Sequence, residues 1–279
     1  MRDLLALGLV LQERFTSEDL ERTPEPSADM SDRAQVEEFH AAGQSALLPV
    51  YLFNTLNIHR LTPHGGTVLD LGSGSGQMLA YLAKCRPDLT IVGIDLSEPM
   101  VNLGNSALRE RGLSSRVRLE VGDMADFRSI LPRDVAIVTS IFALHHLPTV
   151  AMLEQCLDQI GKVTRSHKAA VWLFDHCRPK RAKTALRFPE IFSSEAGAAF
   201  KLDSRNSLVA SWRFDELTSA AGRILGARLE SRQARVLPLY QVHWVQHAAP
   251  LRAGLLECCS DDKTAREARK LARLFTGLP

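Results

Sequence analysis

The sequence predicts an α/β protein built on a doubly wound, mostly parallel sheet of seven strands. From about residue 64 onward, short apolar runs alternate with helical segments, and this alternation favours crossover connections between parallel strands. The last two apolar runs, residues 227–237 and 240–246, are joined by too few residues for a crossover, so they should pair antiparallel. The sheet is therefore expected to carry one antiparallel strand at its C-terminal end.

The 279-residue chain also divides into three parts on its sequence pattern. Helical patterns fill the first sixty residues, except around Pro24 and Pro26, which cannot lie inside a helix. The expected parts are a helical lid over 1–62, a main domain over 63–250 with an insertion at 177–209, and a helical tail over 251–279. The remaining expected strands are residues 67–71, 90–94, 117–121, 134–139 and 169–174.

Composition narrows the class of protein and its partners. Hydrophobic residues make up 45% and charged residues 24%, as in soluble globular proteins. A formal net charge of +2 gives the molecule no field that would attract nucleic acid. Five cysteines without a C-x-x-C pair predict neither a disulfide framework nor a structural zinc site. The apolar run at residues 4–11 is too short to span a membrane, so we expect a cytoplasmic protein and leave a homodimer open.

A glycine-rich turn follows the first predicted strand. The string V-L-D-L-G-S-G-S-G covers residues 68–76 and leads into a helical segment beginning near Gln77. Glycines allow positive φ and close approach of a ligand, and a helix start offers free N–H groups. The dinucleotide pattern G-x-G-x-x-G is the main competitor, but here the third glycine falls at Gly76, which gives G-x-G-x-G. The spacing indicates a nucleotide-like ligand other than a dinucleotide.

Polar residues also follow the next three predicted strands. Asp95 ends the second strand, where a carboxylate can accept both ribose hydroxyls. The third strand ends in Gly122-Asp123-Met124, and Asp123 could accept from an adenine amino group. Leu96, Met100 and Met124 could sandwich the base, and the fourth strand runs through Ser140 into Ala143-Leu144-His145-His146-Leu147. Each carboxylate alone could instead cap a helix or a turn, but the set points to one ligand at the carboxyl edge of the sheet.

Together these four strings resemble the class I S-adenosylmethionine-dependent methyltransferases, with the match covering about residues 64–176. The resemblance implies a Rossmann-like fold, S-adenosylmethionine as cofactor and methyl transfer to a small-molecule acceptor. It places Asp70 near the amino end of the cofactor, the glycines near its methionine part, and Asp95 at the ribose. The predicted cofactor-binding residues are Asp70, Gly72, Ser73, Gly74, Gly76, Asp95, Leu96, Met100, Asp123, Met124 and Ser140.

Methyl transfer from a sulfonium needs an aligned nucleophile and exclusion of water, so no metal is expected. A hydroxyl or protonated amine acceptor also needs a base, for which we predict His146. Successive strand residues face opposite ways, so His145 should point away from the methyl group, and either histidine could be architectural instead. Candidate substrate residues are Tyr51, His145, Arg178, Tyr240 and His243, although Arg178 begins a basic run that could simply face solvent.

Three alternatives stay open at this point. An NAD-dependent oxidoreductase is disfavoured by Gln77 and by the G-D-M and A-L-H-H-L strings. A catalytically silent, methyltransferase-like partner subunit is compatible with an intact cofactor site. A methyltransferase acting on RNA or protein is compatible with the same core, although nucleic acid is disfavoured by the near-neutral charge.

Overall fold

The structure is a computed structural model that describes residues 2–26, 36, 40, 47–247 and 261–279. Within these residues, strands and helices alternate along the central part of the chain, as the sequence predicts. The strands are β1 (Thr67–Leu71), β2 (Thr90–Asp95), β3 (Val117–Val121), β4 (Ile137–Ile141), β5 (Ala170–His176), β6 (Leu229–Gln233) and β7 (Tyr240–Val245). The helices are α1 (Arg2–Arg14), α2 (Leu48–Leu61), α3 (Gln77–Cys85), α4 (Glu98–Glu110), α5 (Val150–His167), α6 (Ala182–Phe192), α7 (Ala198–Ala210), α8 (Phe214–Leu225) and α9 (Asp262–Ala272).

The seven strands form one sheet in the order β3-β2-β1-β4-β5-β7-β6. Strands β1 to β5 are mutually parallel, whereas β7 pairs antiparallel with both β5 and β6. The predicted seven-stranded, doubly wound sheet with one antiparallel strand is therefore confirmed. The order reverses between β1 and β4, which creates the crevice in which open α/β sheets bind their ligands.

Two of the expected strand bounds are wrong. The fourth strand was expected at residues 134–139 but spans Ile137–Ile141, because Asp134 is exposed and pairing with β1 begins at Ile137. The sixth was expected at 227–237 but is confined to Leu229–Gln233, because Gly226–Arg228 forms a 3-10 turn. The fourth-strand shift matters for function, since it moves the start of the following turn.

Apolar side chains fill both faces of the sheet. Helices α2, α3, α4 and α9 cover one face, where Phe53 contacts Trp172, Phe174 and Phe275 with ring centroids 5.4–6.1 Å apart. Helices α5 and α8 cover the other face. Because helix α9 packs against α2, the described end of the chain is part of the folded core.

The insertion contributes helices α6 and α7, which pack with α1 in a separate apolar cluster that includes Leu9, Phe188 and Leu208. The proposed division into a lid over 1–62, a main domain and a tail over 251–279 stays a prediction, and residues 1, 27–35, 37–39, 41–46 and 248–260 lie outside the described residues. A search of the described helices finds none with the length and apolarity needed to cross a bilayer.

Candidate active site

A cavity opens at the carboxyl edge of the sheet, at the reversal of strand order. Its floor is the chain that leaves β1, β2, β3 and β4, and its roof is formed by side chains of α2, α6 and α7. At one end lie the glycine-rich turn and the strand-end carboxylates, which we call the cofactor end. At the other end lie His145 and His146 with residues of the insertion, which we call the acceptor end.

The glycine-rich turn brings backbone to the floor of the cofactor end. Gly72, Gly74 and Gly76 have φ of 73°, 53° and 67°, a backbone conformation that residues other than glycine rarely adopt. A Cβ atom on Gly72 would collide with the methyl group of Ala143, which leaves β4. The turn therefore has no room for a side chain at Gly72, and the N terminus of α3 lies beside the cavity.

Asp70 is buried at the end of β1 and lines the cavity. The Thr139 hydroxyl donates to its Oδ1 at 2.5 Å. Burial, together with the charge of Asp95, raises the pKa of Asp70 to about 7, although the Thr139 hydrogen bond opposes the shift. An added positive charge at this end of the cavity would favour the ionised form.

Asp95 holds two strand-end turns together. Its Oδ2 accepts from the Gly74 N–H at 2.7 Å, and its Oδ1 accepts from the Ser97 N–H at 2.9 Å. Asp95 also lines the cavity, where a carboxylate is suited to accept from ribose hydroxyls. Apolar side chains flank it on the cavity wall, namely Leu96, Met100 and Met124.

The cofactor end fits a nucleoside with a charged amino-acid tail. The Ser73 hydroxyl is buried on the cavity wall with no hydrogen-bond partner among the described residues. An orphaned hydroxyl of this kind is costly unless a ligand satisfies it. Two carboxylates, an orphaned hydroxyl and an apolar slot provide what an aminoacyl chain, a ribose and a base need.

The acceptor end begins where β4 stops. Phe142 has φ of 54°, an uncommon conformation for an aromatic residue, and its N–H donates to the Phe174 carbonyl at 2.8 Å. The chain then enters the 3-10 turn Leu144–His146 instead of continuing as a strand. This turn places both His145 and His146 on the cavity wall, with ring centroids 4.3 Å apart.

Asp175 fixes the orientation of the His145 ring. Nδ1 of His145 lies 2.6 Å from Asp175 Oδ1, and the His145 backbone N–H donates to Oδ2 at 3.0 Å. Burial would raise the pKa of Asp175, but the charge and hydrogen bond of His145 hold it below its ordinary value. The ring nitrogen Nε2 of His145 is left facing Glu25, whose Oε1 is 3.7 Å away.

Glu25 reaches the site from an N-terminal segment, residues 16–26, that we call the strap. Its Oε2 lies 3.0 Å from His146 Nδ1, and the Ser207 hydroxyl donates to Oε1 at 2.8 Å. Burial would raise the pKa of Glu25, but the close approach of His146, followed by His145 and Ser207, lowers it to about 2. Burial opposes charge on His146, yet Glu25 raises the pKa of that imidazole above its ordinary value. The carboxylate and imidazolium therefore stabilise each other.

Arg22 anchors the strap three residues before Glu25. Its guanidinium donates to the carbonyls of His145, Leu147, Pro148 and Ala210 at 2.6–3.1 Å. It also lies 3.6 Å above the Trp212 ring, a cation–π contact. These carbonyls belong to the turn after β4 and to the end of α7, so Arg22 clamps the strap between them.

Aromatic side chains line the rest of the acceptor end. His176 stacks on Phe142 with ring centroids 4.3 Å apart and on Tyr240 at 5.4 Å. Burial lowers the pKa of His176 to about 4 and raises that of Tyr240, so both groups are neutral near pH 7. Tyr51 of α2 and Phe188 of α6 also reach the cavity. The walls suit a largely apolar molecule.

Comparison with known proteins agrees with this geometry. A family model described as a methyltransferase domain matches residues 68–167. The probable S-adenosylmethionine-dependent methyltransferase CRG1 of Saccharomyces cerevisiae is 26% identical over 140 residues, which are 49% of this chain and 46% of that protein. Nocamycin O-methyltransferase of Saccharothrix syringae is 43% identical over 63 residues, 22% of each chain. The chain thus spans less than half the length of these curated relatives.

Solved structures show the same fold. The plantazolicin methyltransferase BpumL in complex with SAH superposes with a TM-score of 0.56 at 13% identity, covering 88% of this chain and 96% of that one. A SAM-dependent methyltransferase from Aquifex aeolicus gives 0.54 at 18% identity, covering 78% and 100%. At these identities, the superpositions establish the fold alone.

Residues 68–167 match a methyltransferase domain, and the sheet around them has the fold of S-adenosylmethionine-dependent methyltransferases. Ten of the eleven residues predicted to bind S-adenosylmethionine lie at the cofactor end. Nine of them line the cavity: Asp70, Gly72, Ser73, Gly74, Asp95, Leu96, Met100, Asp123 and Met124. Gly76 lies behind them as the residue before α3, where a Cβ atom would meet Leu119 at 2.9 Å.

Three predicted site residues lie outside the cavity, and their assignments are corrected. The buried hydroxyl of Ser140 donates to the Leu71 carbonyl at 3.0 Å, so it ties β4 to β1 and does not line the cavity. Arg178 pairs with Glu216 at 2.7 Å and bonds backbone carbonyls, which makes it a structural clamp. His243 is buried against Ser231 and Gln241, away from the cavity.

The expectation that His145 points away from the cavity is also wrong. Alternation of side chains holds along a strand, but the chain forms a 3-10 turn at this point, and both histidines line the same cavity. Tyr51 and Tyr240, the remaining predicted substrate residues, do reach it. Sequence reasoning missed Glu25 and His176. Glu25 was missed because no local motif relates residue 25 to residue 146. The two prolines beside Glu25 were the one available signal, and they indicated only a loop.

Proposed function

We propose that this protein transfers the methyl group of S-adenosylmethionine to a small-molecule acceptor bound at the acceptor end. The observation that carries the proposal is the continuity of one cavity between the cofactor end and the pair His145 and His146. When bound, S-adenosylmethionine supplies a methyl group already activated as a sulfonium. The protein's remaining tasks are to orient the acceptor, exclude water and take up a proton.

The acceptor is proposed to be largely apolar and partly planar, with a polar group at the reacting end. Stacked rings of Phe142, His176 and Tyr240 supply a flat apolar wall. Nδ1 of His176 is buried there without a hydrogen-bond partner among the described residues, so a polar atom of the acceptor could satisfy it. The walls carry no cluster of free basic side chains within the described residues that would favour RNA as the acceptor.

His146 is proposed to accept the acceptor's proton. Its ring is partly exposed to the cavity, whereas that of His145 is buried and committed to Asp175. Glu25 lies beside it and would stabilise the imidazolium that forms after proton transfer, as a carboxylate does in other acid–base sites. Arg22 holds Glu25 in position through the strap.

Closure over the acceptor is proposed to come from the strap, α2 and the insertion. Tyr51 reaches the cavity from α2, Phe188 and Ser207 reach it from the insertion, and Glu25 of the strap contacts His146 and Ser207 there. A roof made of separate chain segments can open to admit the acceptor and close to exclude water. We also propose a cytoplasmic location, and the possible homodimer stays a prediction.

The proposal is tested in two measurements on the full chain. Calorimetry should show one molecule of SAH bound per chain. Release of SAH from S-adenosylmethionine is then followed against a panel of phenols, hydroxy acids and amines, with an RNA pool and a protein extract as rival acceptors. Turnover with a small molecule supports the proposal, and turnover with RNA or protein alone overturns its acceptor class. Binding of SAH without any turnover favours a silent partner subunit instead.

A further inference from the structure

Three side chains of ligand type converge at the acceptor end. Glu25, His145 and His146 each offer one atom, and these atoms all lie within 4.8 Å of one another. We propose that this triad binds one divalent transition-metal cation, Zn²⁺ or Fe²⁺ being the best matched. Two atoms that each lie 2.0–2.2 Å from one ion are at most about 4.4 Å apart, so a small inward shift completes the site.

His145 is prepared as a ligand by the residue behind it. A metal-bound histidine usually donates its second ring N–H to a carboxylate or carbonyl, which fixes the tautomer and aims the other nitrogen at the metal. Asp175 occupies that position, 2.6 Å from His145 Nδ1. It is held in turn by the backbone N–H groups of His145 and His176 at 3.0 and 2.7 Å. Nε2 of His145 is thereby directed toward Glu25.

His146 and Glu25 form a close ion pair whose hydrogen-bond geometry is poor. Nδ1 of His146 is buried and 3.0 Å from Glu25 Oε2, yet it makes no hydrogen bond of acceptable geometry. Neighbouring ligands of one ion have a similar separation and both aim their lone pairs at the ion instead of at each other. The Ser207 hydroxyl bonds the other Glu25 oxygen and so supports the carboxylate from behind.

The ligand set selects the class of cation. Two imidazoles and one carboxylate suit Zn²⁺ and Fe²⁺, whereas Mg²⁺ and Ca²⁺ prefer all-oxygen ligands. Three protein ligands leave further coordination positions open, and both histidines line the cavity. The open positions would therefore face the space proposed for the acceptor.

Cation binding requires no assumption about the acceptor, but its chemical consequence rests on the proposed function. An acceptor hydroxyl bound to the cation would lose its proton to solvent more readily, and its oxygen would then form the O–CH₃ bond as the S–CH₃ bond breaks. A neutral imidazole coordinated through Nδ1 carries its proton on Nε2, so neither nitrogen of His146 could accept the acceptor's proton. In the metal-bound protein, the cation would therefore replace His146 as the group that makes the acceptor nucleophilic.

Titration calorimetry on tag-free, chelator-treated full-length protein tests the site directly, with ZnCl₂ as probe and MgCl₂ as the comparison. The wild type should bind one Zn²⁺ per chain, and Glu25→Gln and His146→Gln should bind it at least 100-fold more weakly. His64→Gln is the matched control, because that imidazole is exposed and far along the chain from the triad. Its Zn²⁺ affinity should equal that of the wild type.

Two further measurements keep the outcomes distinct. SAH affinity, measured on the same samples, should stay unchanged and shows that each variant is folded. Asp175→Asn leaves the three ligands in place and should weaken Zn²⁺ binding 10- to 100-fold. Absence of Zn²⁺ binding in the wild type, or equal binding in all variants, would overturn the metal site and leave the proposed methyl transfer standing. Zn²⁺ binding without methylation of any acceptor would sink the proposed function alone.

Discussion

The two ends of the cavity are assembled in opposite ways. At the cofactor end, Gly72, Asp95 and Asp123 come from three consecutive strand ends, within about fifty residues of chain. At the acceptor end, Glu25 bonds Ser207 across 182 residues and lies beside His146. The cofactor end is thus a property of a local βαβ pattern, whereas the acceptor end exists only when distant segments meet.

This difference indicates that acceptor specificity can change without loss of the fold. Backbone groups and strand-end carboxylates make the cofactor end, and they are fixed by sheet register. Side chains on the strap and the insertion make much of the acceptor end, and these segments lie outside the sheet. Substitutions at the two ends should therefore separate cofactor affinity from turnover.

The largest effect is expected at the glycine-rich turn. Gly72→Ala and Gly65→Ala both place a side chain at positive φ, 73° and 72°, so they share the backbone strain of about 1–2 kcal/mol. Gly65 has open space around it, whereas a Cβ on Gly72 would strike Ala143. Thermal melts should show a loss more than about 2 kcal/mol greater for Gly72→Ala, from overpacking, and calorimetry should show no SAH binding. Equal losses in the two variants would contradict the proposed close packing.

His146→Gln tests the acceptor end. If the imidazole accepts the proton, turnover should fall by about 100- to 10,000-fold while SAH affinity stays nearly unchanged. The pH dependence of turnover, measured once an acceptor is known, should lose the limb that reports this group. An unaltered pH profile would show that His146 shapes the site without accepting a proton.

Asp95→Ala tests the cofactor end. Loss of two charge-assisted hydrogen bonds to the ribose should reduce SAH affinity by about 2–4 kcal/mol. Asp126→Ala is the matched control, because that carboxylate is exposed and pairs with Arg128 on the surface. By calorimetry, the SAH affinity of the control should lie within twofold of that of the wild type. An Asp95→Ala variant with wild-type affinity would overturn the assignment of Asp95 to the ribose.

Arg22→Ala tests whether the acceptor end depends on the strap. Four carbonyl contacts and the Trp212 ring are lost, which should loosen the strap by about 2–3 kcal/mol. Hydrogen exchange of residues 16–26 should then accelerate and turnover should drop, with SAH affinity unchanged. Arg14→Ala, an exposed substitution in α1, should alter none of these quantities. A parallel loss of SAH affinity would mean that the two ends are not separable.

The smallest effect is a dependence of stability on acid. Burial lowers the pKa of His176 to about 4 and that of His243 to about 3, so the folded protein holds both rings neutral. The unfolded chain takes up protons near pH 6.5, and the stabilisation is therefore full above that pH and lost as pH falls toward 4 and 3. In urea titrations, His243→Gln should reduce the stability lost between pH 6.5 and 5 by about 1–2 kcal/mol. SAH should leave this difference unchanged, since His243 lies outside the cavity.

Sequence reasoning worked where function follows the strand pattern. The seven-stranded, mostly parallel sheet, the antiparallel β7 and the position of Asp95 and Asp123 at strand ends all follow from alternating strands and helices. Ser140 was misassigned because a strand-end hydroxyl can equally bond the neighbouring strand, here at Leu71. The residue type alone does not predict whether such a hydroxyl bonds a ligand or the neighbouring strand.

The acceptor end could not be predicted because its geometry departs from local rules. Phe142 adopts a positive φ that its residue type does not favour, and the resulting turn brings His145 to the same side as His146. Glu25 reaches them through the anchoring of Arg22, a contact separated by more than one hundred residues. Neither hydrophobic periodicity nor a local motif predicts a contact between residues so far apart in the sequence.

The anchoring of Arg22 has a consequence for the order in which the molecule folds. Its carbonyl partners lie 123–188 residues further along the chain. The strap is synthesised before α7, yet its docking position forms only after α7 has been synthesised and packed. Closing so long a loop costs entropy before any contact rewards it. A chain that ends before residue 210 would contain the glycine-rich turn and no docking position for the strap, so the acceptor end is completed only after the segments of the cofactor end have been synthesised.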